Sequence, residues 1–224
     1  MEHMREIVKI IDVRPVTHDV KCFRMEKPAG YHFQPGHATD VSINKPGLEE
    51  ETRPFTFTSL ISAPYLEFTI KRYADHRGIT DKLHQLNPGD ELIIRDSWGA
   101  IEYKSPGYFI AGGAGITPFI AILRSLYETG EMGGNQLFFS NKTAADIIYE
   151  EEIVKMLGAG AHFILTREHS GHYPFDRIDE SFLKNNILDF KKSFYICGPD
   201  AMVSELVSTL EKTGASADAL VFEK

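Results

Sequence analysis

The sequence has 224 residues, of which 42% are hydrophobic and 25% charged. This composition is typical of soluble globular proteins that bury a core without disulfide or metal cross-links. Its net charge of −8 excludes a bulk electrostatic attraction to nucleic acid or to an anionic membrane. The two cysteines, Cys22 and Cys197, are too few for a disulfide framework or an all-cysteine iron–sulfur cluster, and they favour a reducing, cytoplasmic location. No apolar run approaches the length of a membrane span, and the charged N-terminal stretch lacks the pattern of a signal peptide.

Short apolar runs separated by proline and glycine turns predict strands in the first half of the chain. Turns spaced at roughly 8–12 residues are typical of a small antiparallel barrel. The predicted strands are residues 6–13, 20–25, 38–43, 55–60, 66–73 and 91–95, with a short helix over residues 80–85.

Beyond a boundary near residue 105, predicted strands alternate with predicted helices. This alternation is typical of a parallel sheet covered by helices. The predicted strands are residues 108–111, 136–140, 162–166, 194–197 and 220–222, and the predicted helices are 117–130, 146–157, 180–185 and 199–213. We therefore expect a two-domain β + α/β protein, with a barrel in residues 1–104 and a parallel-sheet domain in residues 105–224.

A glycine-rich turn, residues 112–116, joins the first strand and the first helix of the second half. Thr117 suits the N-cap of that helix and Pro118 its first position. Such a turn directs backbone N–H groups and the positive end of the helix dipole towards an anion, which predicts a nucleotide pyrophosphate site. A tight strand-to-helix turn without a ligand uses glycines in the same way, so both interpretations stay open.

A second motif, Arg53-Pro54-Phe55-Thr56, lies in the barrel half. An arginine can hold a pyrophosphate bidentately, and an aromatic side chain two residues later lies on the same strand face, where it can cover a flat ring. The neighbouring hydroxyl of Thr56 can hydrogen-bond that ring. An ordinary edge strand with one solvated arginine explains the same residues.

Three motifs together resemble those of the ferredoxin–NADP reductase superfamily. Arg53-Pro54-Phe55-Thr56 is similar to its Arg-x-Tyr-Ser/Thr flavin motif, residues 112–118 to its pyridine-nucleotide loop, and residues 195–199 to its Cys-Gly-Pro motif. The motifs occur in the order and at the approximate spacing of the family. The resemblance implies an antiparallel six-stranded FAD-binding barrel followed by a parallel-sheet NAD(P)-binding domain.

The resemblance also implies which residues hold FAD. Arg53 would bind the pyrophosphate, Phe55 would pack on the isoalloxazine ring, and Thr56 would hydrogen-bond its redox-active nitrogen. Family members more often have tyrosine at the position of Phe55, so the usual phenolic hydrogen bond is missing here. The other implied FAD contacts are Pro54, Lys71, Arg72, Tyr73, Gly78, Ile79, Thr80 and Phe222, with His76 and Arg77 in the same phosphate loop as Gly78.

The implied NAD(P)H contacts lie in the second half of the chain. Cys197 would sit where nicotinamide meets flavin, although a buried cysteine at a strand end is also an ordinary core residue. Near the C-terminus, Phe222 matches an aromatic that covers the flavin face, and Glu223 matches a carboxylate beside it. A core phenylalanine and a solvated glutamate remain equally open. The other implied nucleotide contacts are Gly113, Gly115, Ile116, Thr117, Asn141, Asp146, Gly198 and Pro199.

Nucleotide choice depends on the loop after the second strand of the α/β half. Asp146 resembles the acidic residue of NADH-using members and favours NADH, whereas Lys142 could pair with the 2′-phosphate of NADPH. Residues 166–168 would reach the same ribose. His169, His172 and Asp176 match no metal motif, so no metal site is predicted.

The expected protein is an FAD-dependent NAD(P)H oxidoreductase in which Thr56, Cys197 and Glu223 act at the reacting centre. A hydride would pass from the nucleotide to FAD. Because the chain shows no iron–sulfur domain, electrons would then leave for a separate carrier such as a ferredoxin, a flavodoxin or an oxygenase component. The alternatives are a reductase of free flavin or ferric chelates, and a flavin-binding redox sensor or regulatory subunit.

Overall fold

The computed structural model of the chain describes residues 5–74, 78–99 and 101–222. It divides into two units, Met1–Ala100 and Ile101–Lys224, each with its own sheet and hydrophobic core. The predicted class, an antiparallel six-stranded barrel followed by a parallel-sheet domain, is confirmed. None of the helices within the described ranges is both long enough and apolar enough to cross a membrane.

The first unit is a six-stranded antiparallel sheet that curls on itself. Its elements are β1 (Arg5–Pro15), β2 (Val20–Glu26), β3 (His37–Ile43), β4 (Arg53–Thr56), β5 (Tyr65–Lys71), α1 (Ile79–Leu83) and β6 (Glu91–Gly99). The strand order is β4-β3-β6-β1-β2-β5, so β4 and β5 are the two edges. These edges meet where Phe57 bridges Phe68 and the Thr58 N–H donates to the Glu67 carbonyl at 2.8 Å, which closes the barrel.

The barrel core follows from alternation along the strands, whose successive side chains point to opposite faces. On β1, Val8 and Ile10 are buried, whereas Ile7 and Ile11 are exposed. Burial of the inward face, at about 25 cal/mol per Å² of apolar surface, is the main stabilising contribution to such a barrel.

The second unit is a five-stranded parallel sheet with helices between its strands. Its elements are β7 (Gly107–Gly112), α2 (Thr117–Thr129), β8 (Gln136–Asn141), α3 (Glu150–Leu157), β9 (Ala161–Leu165), α4 (Glu180–Asn186), β10 (Ser193–Cys197), α5 (Asp200–Thr213) and β11 (Leu220–Phe222). The strand order is β11-β10-β7-β8-β9. All of β7 is buried, as expected for a central strand that is covered on both faces.

The strand order creates a switch point between β7 and β10, because the chain builds outward from β7 to β9 and then returns to the other side of β7. Ala111 pairs with Cys197, so the carboxyl ends of the two strands lie side by side. Ligands of open parallel sheets bind outside the carboxyl ends of the strands at such a point. The topology therefore places the turn after β7 and the turn after β10 at the expected ligand crevice.

Within the second unit, the hydroxyl of Tyr195, a fully buried side chain of β10, holds the segment before β7. The hydroxyl oxygen accepts from the N–H of Lys104 at 2.9 Å and from the N–H of Ser105 at 3.0 Å. Its own O–H donates to the Ser105 carbonyl at 2.8 Å. One donated and two accepted bonds use the whole hydrogen-bonding capacity of a phenol.

Two predicted strands are shorter in the structure than in the sequence pattern. The strand β5 ends at Lys71 rather than at residue 73, because its partner β2 begins at Val20, directly opposite Lys71. The strand β4 ends at Thr56 rather than at residue 60. The Phe57 N–H still donates to β3, whereas the Thr58 N–H donates to β5, so the chain changes partner at this point.

The predicted helix over residues 146–157 is interrupted. A short 3-10 turn, Ala144–Asp146, precedes the α-helix α3, and the two are separated by Tyr149. Tyr149 has a φ of 54°, in the left-handed region, which breaks the helical backbone. The centroid of its ring lies 5.1 Å from the guanidinium carbon of Arg124. That guanidinium forms a bidentate ion pair with the Glu152 carboxylate, with N–O distances of 2.6 and 2.9 Å.

Candidate functional site

Arg53 is exposed at the start of β4, and its guanidinium donates to the neighbouring Thr52 carbonyl at 2.7 Å. The other described arginines of the first unit reach carboxylates: Arg5 and Arg95 reach Glu50, Arg14 and Arg24 reach Glu67, and Arg72 reaches Asp81. Within the described part of this unit, Arg53 is thus the arginine that pairs with no carboxylate. A guanidinium in this situation is suited to bind an anionic ligand.

The strand β4 turns Arg53 and Phe55 towards one face and Thr56 towards the other. Phe55 is half-buried, with its ring 6.2 Å from the ring of Phe68, and Thr56 is buried opposite Ala38 of β3. An aromatic side chain that is only half covered, next to a hydroxyl, fits a flat cofactor ring. The contact itself stays a prediction.

The charges at the end of β5 are matched by nearby carboxylates. Lys71 pairs with Asp19, and Arg72 with Asp81 in the first turn of α1, each at 2.7 Å. Tyr73 is 47% exposed. Because both cations are already paired, this segment offers a ligand its backbone and the Tyr73 ring rather than free charge.

Gly78 precedes α1 with extended backbone, and among the described residues no side chain caps the helix start. The N–H groups of Ile79 and Thr80 open the helix, where backbone donors have no acceptor within the helix. The preceding residues of the predicted phosphate loop, His76 and Arg77, lie outside the described residues.

Sequence reasoning missed a buried carboxylate beside the Arg53 motif. Glu67 lies in β5 at a polar position of the alternating pattern, which predicts solvent exposure, yet it is 1% exposed. One of its oxygens accepts from Arg24 at 2.9 Å and from Arg14 at 3.3 Å. The other accepts from the Thr58 hydroxyl at 3.0 Å. The only sequence signal for this cluster is the presence of two arginines on the strands β1 and β2.

The glycines of the turn after β7 allow close packing against the end of β10. A Cβ on Gly115 would lie 2.3 Å from the Cys197 carbonyl oxygen, and one on Gly198 would lie 3.2 Å from the Gly112 backbone. Gly113 has a φ of +53°. Packing and backbone conformation thus account for these glycines, as the tight-turn interpretation expects. The same packing brings the two turns of the switch point into contact.

The helix α2 begins at Thr117, as predicted, but the prediction of Thr117 as its N-cap is wrong. A 3-10 turn, Gly113–Ile116, leads directly into α2, so Ile116 takes the cap position. The Thr117 hydroxyl instead donates to the Ala114 carbonyl at 3.0 Å. Ile116 at the cap position makes no side-chain cap, and the 3-10 turn supplies the Ala114 carbonyl as the acceptor for the Thr117 N–H. Gly130 ends α2 in the left-handed conformation, as predicted.

Cys197 is the last residue of β10 and is 6% exposed. Gly198 follows it, and Pro199 is the N-cap of α5. Burial at a strand end agrees with a core role, and the position at the switch point agrees with a role beside the nicotinamide.

Asn141 carries unsatisfied hydrogen-bonding groups at the same edge of the sheet. It ends β8 and is 4% exposed. Among the described residues, neither the nitrogen nor the oxygen of its buried carboxamide has a hydrogen-bond partner. A buried group left in this state costs about 1–3 kcal/mol, so a ligand that offers both a donor and an acceptor would relieve it. Ribose hydroxyl groups offer both.

The two acids expected near the ribose also hold their own loop together. Asp146 accepts from the N–H and the hydroxyl of Thr143 at 2.9 and 2.7 Å, and so forms a capping box. Glu168 accepts from the Ala144 N–H at 2.7 Å. Lys142 is exposed. The contact between Asp146 and ribose therefore stays a prediction, and the structure adds a second task for this carboxylate.

The histidines after β9 lie against aromatic rings. The ring centroid of His169 is 3.7 Å from that of Phe175, and the centroid of His172 is 4.5 Å from that of Tyr173. The Tyr173 hydroxyl donates to Glu150 at the start of α3. Burial and this carboxylate raise the pKa of Tyr173 to about 12, so the phenol keeps its proton and ties the loop to α3.

The C-terminal residues divide between described and undescribed parts of the chain. Phe222 in β11 pairs with Ile196 and is half-buried against the core of the second unit, which agrees with the core interpretation. Glu223, the predicted carboxylate, lies outside the described residues.

Both units fit the groups that the resemblance implies. The first unit offers Arg53, a cation without a carboxylate partner, next to a half-covered aromatic ring. The second offers the orphaned carboxamide of Asn141 at the edge of the sheet that contains the switch point. These donor sets suit a flavin dinucleotide and a pyridine dinucleotide.

Two family models match the chain. Residues 7–103 match the oxidoreductase FAD-binding domain, and residues 109–207 match the oxidoreductase NAD-binding domain. The fold and these two domains define the class of protein as an oxidoreductase that uses FAD and a pyridine nucleotide.

Curated relatives and solved structures are similar over almost the whole chain. The reductase component of propane 2-monooxygenase from Rhodococcus jostii is 29% identical over 96% of this chain and 62% of that protein. The glycine betaine monooxygenase reductase subunit from Chromohalobacter salexigens is 26% identical over 94% of this chain and 61% of that protein. The chain thus spans less than two thirds of the length of these relatives.

The solved structure of the ferredoxin reductase in carbazole 1,9a-dioxygenase has the same fold, with a TM-score of 0.84 and 20% identity over the whole of this chain and 70% of that one. The predicted resemblance is confirmed: the chain belongs to the ferredoxin–NADP reductase superfamily.

Proposed function

We propose that this chain oxidises NADH with FAD as its cofactor and delivers the electrons to a separate acceptor protein. The observation that carries the proposal is the switch point of the second unit. There the glycine turn and the Cys197 turn pack so closely that a Cβ on Gly115 would lie 2.3 Å from the Cys197 carbonyl oxygen. This is the position where parallel sheets bind dinucleotides. Bound FAD supplies the hydride and one-electron chemistry.

In the first unit, the residues bind and orient FAD. Arg53 holds the pyrophosphate, Phe55 packs on the flavin ring, and Thr56 hydrogen-bonds its redox-active nitrogen. The other contacts come from Pro54, Lys71, Arg72, Tyr73, Gly78, Ile79 and Thr80. The unmatched charge of Arg53 and the half-covered ring of Phe55 support these roles.

In the second unit, the residues bind the dinucleotide. Gly113, Gly115, Ile116 and Thr117 line the proposed pyrophosphate site, where the Thr117 N–H itself donates to the Ala114 carbonyl. The buried carboxamide of Asn141 hydrogen-bonds the hydroxyl groups of the adenosine ribose. Cys197 fixes the position of the nicotinamide, while Gly198 and Pro199 leave room for it and start α5. Phe222 and Glu223 complete the proposed site, Phe222 by covering the flavin and Glu223 as a nearby carboxylate.

The preference for NADH over NADPH rests on Asp146, whose carboxylate would repel a 2′-phosphate. The capping box supports this role, because it holds that carboxylate at the start of the loop after β8. Lys142 is the competing residue, since an exposed ammonium group there could pair with the phosphate.

The acceptor is proposed to be a protein, such as a ferredoxin, a flavodoxin or an oxygenase component. The two monooxygenase reductases that resemble this chain support an oxygenase component. A chain with only two cysteines, too few for a disulfide framework, fits the proposed cytoplasmic location.

Stopped-flow mixing of the FAD-loaded protein with NADH and with NADPH, in separate experiments, tests the proposal. We expect the flavin absorbance to bleach rapidly, and faster with NADH. A protein that cannot be loaded with FAD would refute the function, and one that binds FAD but is not bleached by either nucleotide would be a sensor rather than an enzyme. Equal turnover with free flavin or ferric chelates and with protein carriers would exclude a dedicated protein acceptor.

A further inference from the structure

The buried Glu67 cluster lies at the place where the barrel closes. Glu67 is 1% exposed, and two guanidinium groups from different strands contact one of its carboxylate oxygens. Arg24 is held over the ring of Tyr65, 4.4 Å from its centroid. Such a buried ionic cluster is often no more stabilising than apolar residues of the same size. Stability alone is therefore a weak reason for a carboxylate at this position.

Hydrogen bonds join Glu67 to Thr58 and Ser59, which lie two and three residues beyond the Arg53 motif; we call this set of bonds the junction. The Thr58 N–H donates to the Glu67 carbonyl at 2.8 Å, and the Thr58 hydroxyl donates to the Glu67 carboxylate at 3.0 Å. The Thr58 hydroxyl lies 3.3 Å from the Glu67 carbonyl oxygen, a second acceptor for its proton. In return, the Glu67 N–H donates to the Ser59 hydroxyl at 3.1 Å. Both the main chain and the side chain of Glu67 thus take part in the junction.

The strand β4 needs such an anchor because it is short and lies at an edge. It has four residues, and its ladder runs along β3 alone. A slip of one residue in an edge strand exchanges the two faces, and would exchange the positions of Phe55 and Thr56. The junction with Glu67 fixes the chain two residues beyond Thr56 and opposes such a slip.

We propose that Glu67 is a positioning residue of the flavin site, which acts through Thr58 and Ser59 to hold Phe55 and Thr56 in register. The inference rests on the proposed function, since it takes these two side chains as the flavin contacts. It predicts that the junction, rather than the cluster as a whole, governs how the flavin ring is held.

The test compares two hydroxyl groups in the same buried cluster. Thr58→Val removes the hydroxyl that reaches Glu67. Thr69→Val is the matched control, because the Thr69 hydroxyl lies 3.2 Å from that of Thr58 but takes no part in the hydrogen bonds that join Glu67 to Thr58 and Ser59. Thr58→Ser restores the hydroxyl, and Ser59→Ala removes the other side-chain bond with little change in volume.

Three quantities are measured on the full chain: amide hydrogen exchange of residues 57–59 without FAD, the dissociation constant of FAD, and the shape of the visible flavin absorption band. For Thr58→Val we expect faster exchange, a rise of about ten-fold in the FAD dissociation constant, the equivalent of one hydrogen bond to a charged group, and a broadened band. Thr58→Ser should restore all three, and Ser59→Ala should change them in the same direction but less.

Equal behaviour of Thr58→Val and Thr69→Val would overturn the inference, as would a Thr58→Val protein with a lower unfolding midpoint but normal FAD binding and spectrum. If Thr58→Val does not fold, Ser59→Ala against Thr69→Val decides in the same way. A wild-type protein that binds no FAD would instead refute the proposed function. Normal FAD binding by the wild type, with no difference between the variants, would refute the inference alone.

Discussion

The contact between Gly115 and the end of β10 gives the most direct test of the nucleotide site. In Gly115→Ala, the new methyl group would lie 2.3 Å from the Cys197 carbonyl oxygen, 2.5 Å from its carbonyl carbon and 2.6 Å from the Gly198 nitrogen. All three are backbone atoms, so no side chain can swing away. Ordinary contact begins at 3.4 Å, and the two turns must therefore separate by about 1 Å.

The displacement of the turns sets the expected magnitudes. Overpacking of this kind costs about 1–3 kcal/mol of unfolding free energy. A misplacement of about 1 Å at a reacting centre can slow the chemical step by about 100-fold. Because the displaced groups flank the proposed nicotinamide position, we expect flavin bleaching by NADH to slow by up to that factor, with FAD content unchanged.

Stopped-flow bleaching and denaturant unfolding measure the two effects. Gly133→Ala is the control, since a Cβ at this exposed position meets nothing within 4 Å. A Gly115→Ala protein with the wild-type bleaching rate would refute the proposed role of the crevice. A loss of stability in the control equal to that in Gly115→Ala would refute the packing calculation.

Three other substitutions test separate parts of the molecule. Arg53→Ala should weaken FAD binding by about ten-fold or more, because a charged donor is lost, and the control Arg5→Ala should leave FAD binding unchanged. Unchanged FAD content in gel-filtered Arg53→Ala would exclude the role of Arg53. Asn141→Leu should raise the KM for NADH without loss of unfolding free energy, since among the described residues the buried amide that it removes has no hydrogen-bond partner. A marked loss of stability would show that the amide has a partner in the protein. Burial lowers the pKa of His84 below its ordinary value of 6.5, so the unfolded chain takes up this proton first and stability falls as the pH drops below 6.5. His84→Gln should flatten that decline in denaturant titrations, and an unchanged slope would contradict the buried, neutral state.

Most of the fold could be predicted from the sequence because its signals are local. Turn residues mark the ends of the barrel strands, and the alternation of strands and helices identifies the parallel sheet. Gly130 and Gly214 end their helices in the left-handed conformation that glycine adopts readily. The errors occur where tertiary contacts override the pattern, as at Thr56, where the chain changes partner strands.

The site residues could be predicted where they lie together in a sequence motif, but not where residues that are distant in sequence come into contact. The motif residues around Arg53, Gly115 and Cys197 are contiguous, so spacing alone identifies them. Glu67 was missed because alternation predicts an exposed side chain, whereas the pairing of β1 with β2 and of β2 with β5 brings Arg14 and Arg24 to it. The carboxamide of Asn141 becomes informative only when its burial is known.

The hydroxyl of Tyr195 constrains the first residues of the second unit through their backbone. All three of its hydrogen bonds go to backbone atoms of residues 104 and 105, so they depend on the path of that segment and not on its side chains. Substitution of Lys104, except by proline, should leave these three bonds intact, whereas substitution of Ser105 also removes its hydroxyl contact with Ser193 at 2.9 Å. Deletion of the segment would leave a fully buried phenol without hydrogen-bond partners. A chimaera that joins another flavin domain to this nucleotide domain should therefore keep the length of residues 101–106, together with the buried Ile101 and the Tyr103 ring that stacks on Tyr195.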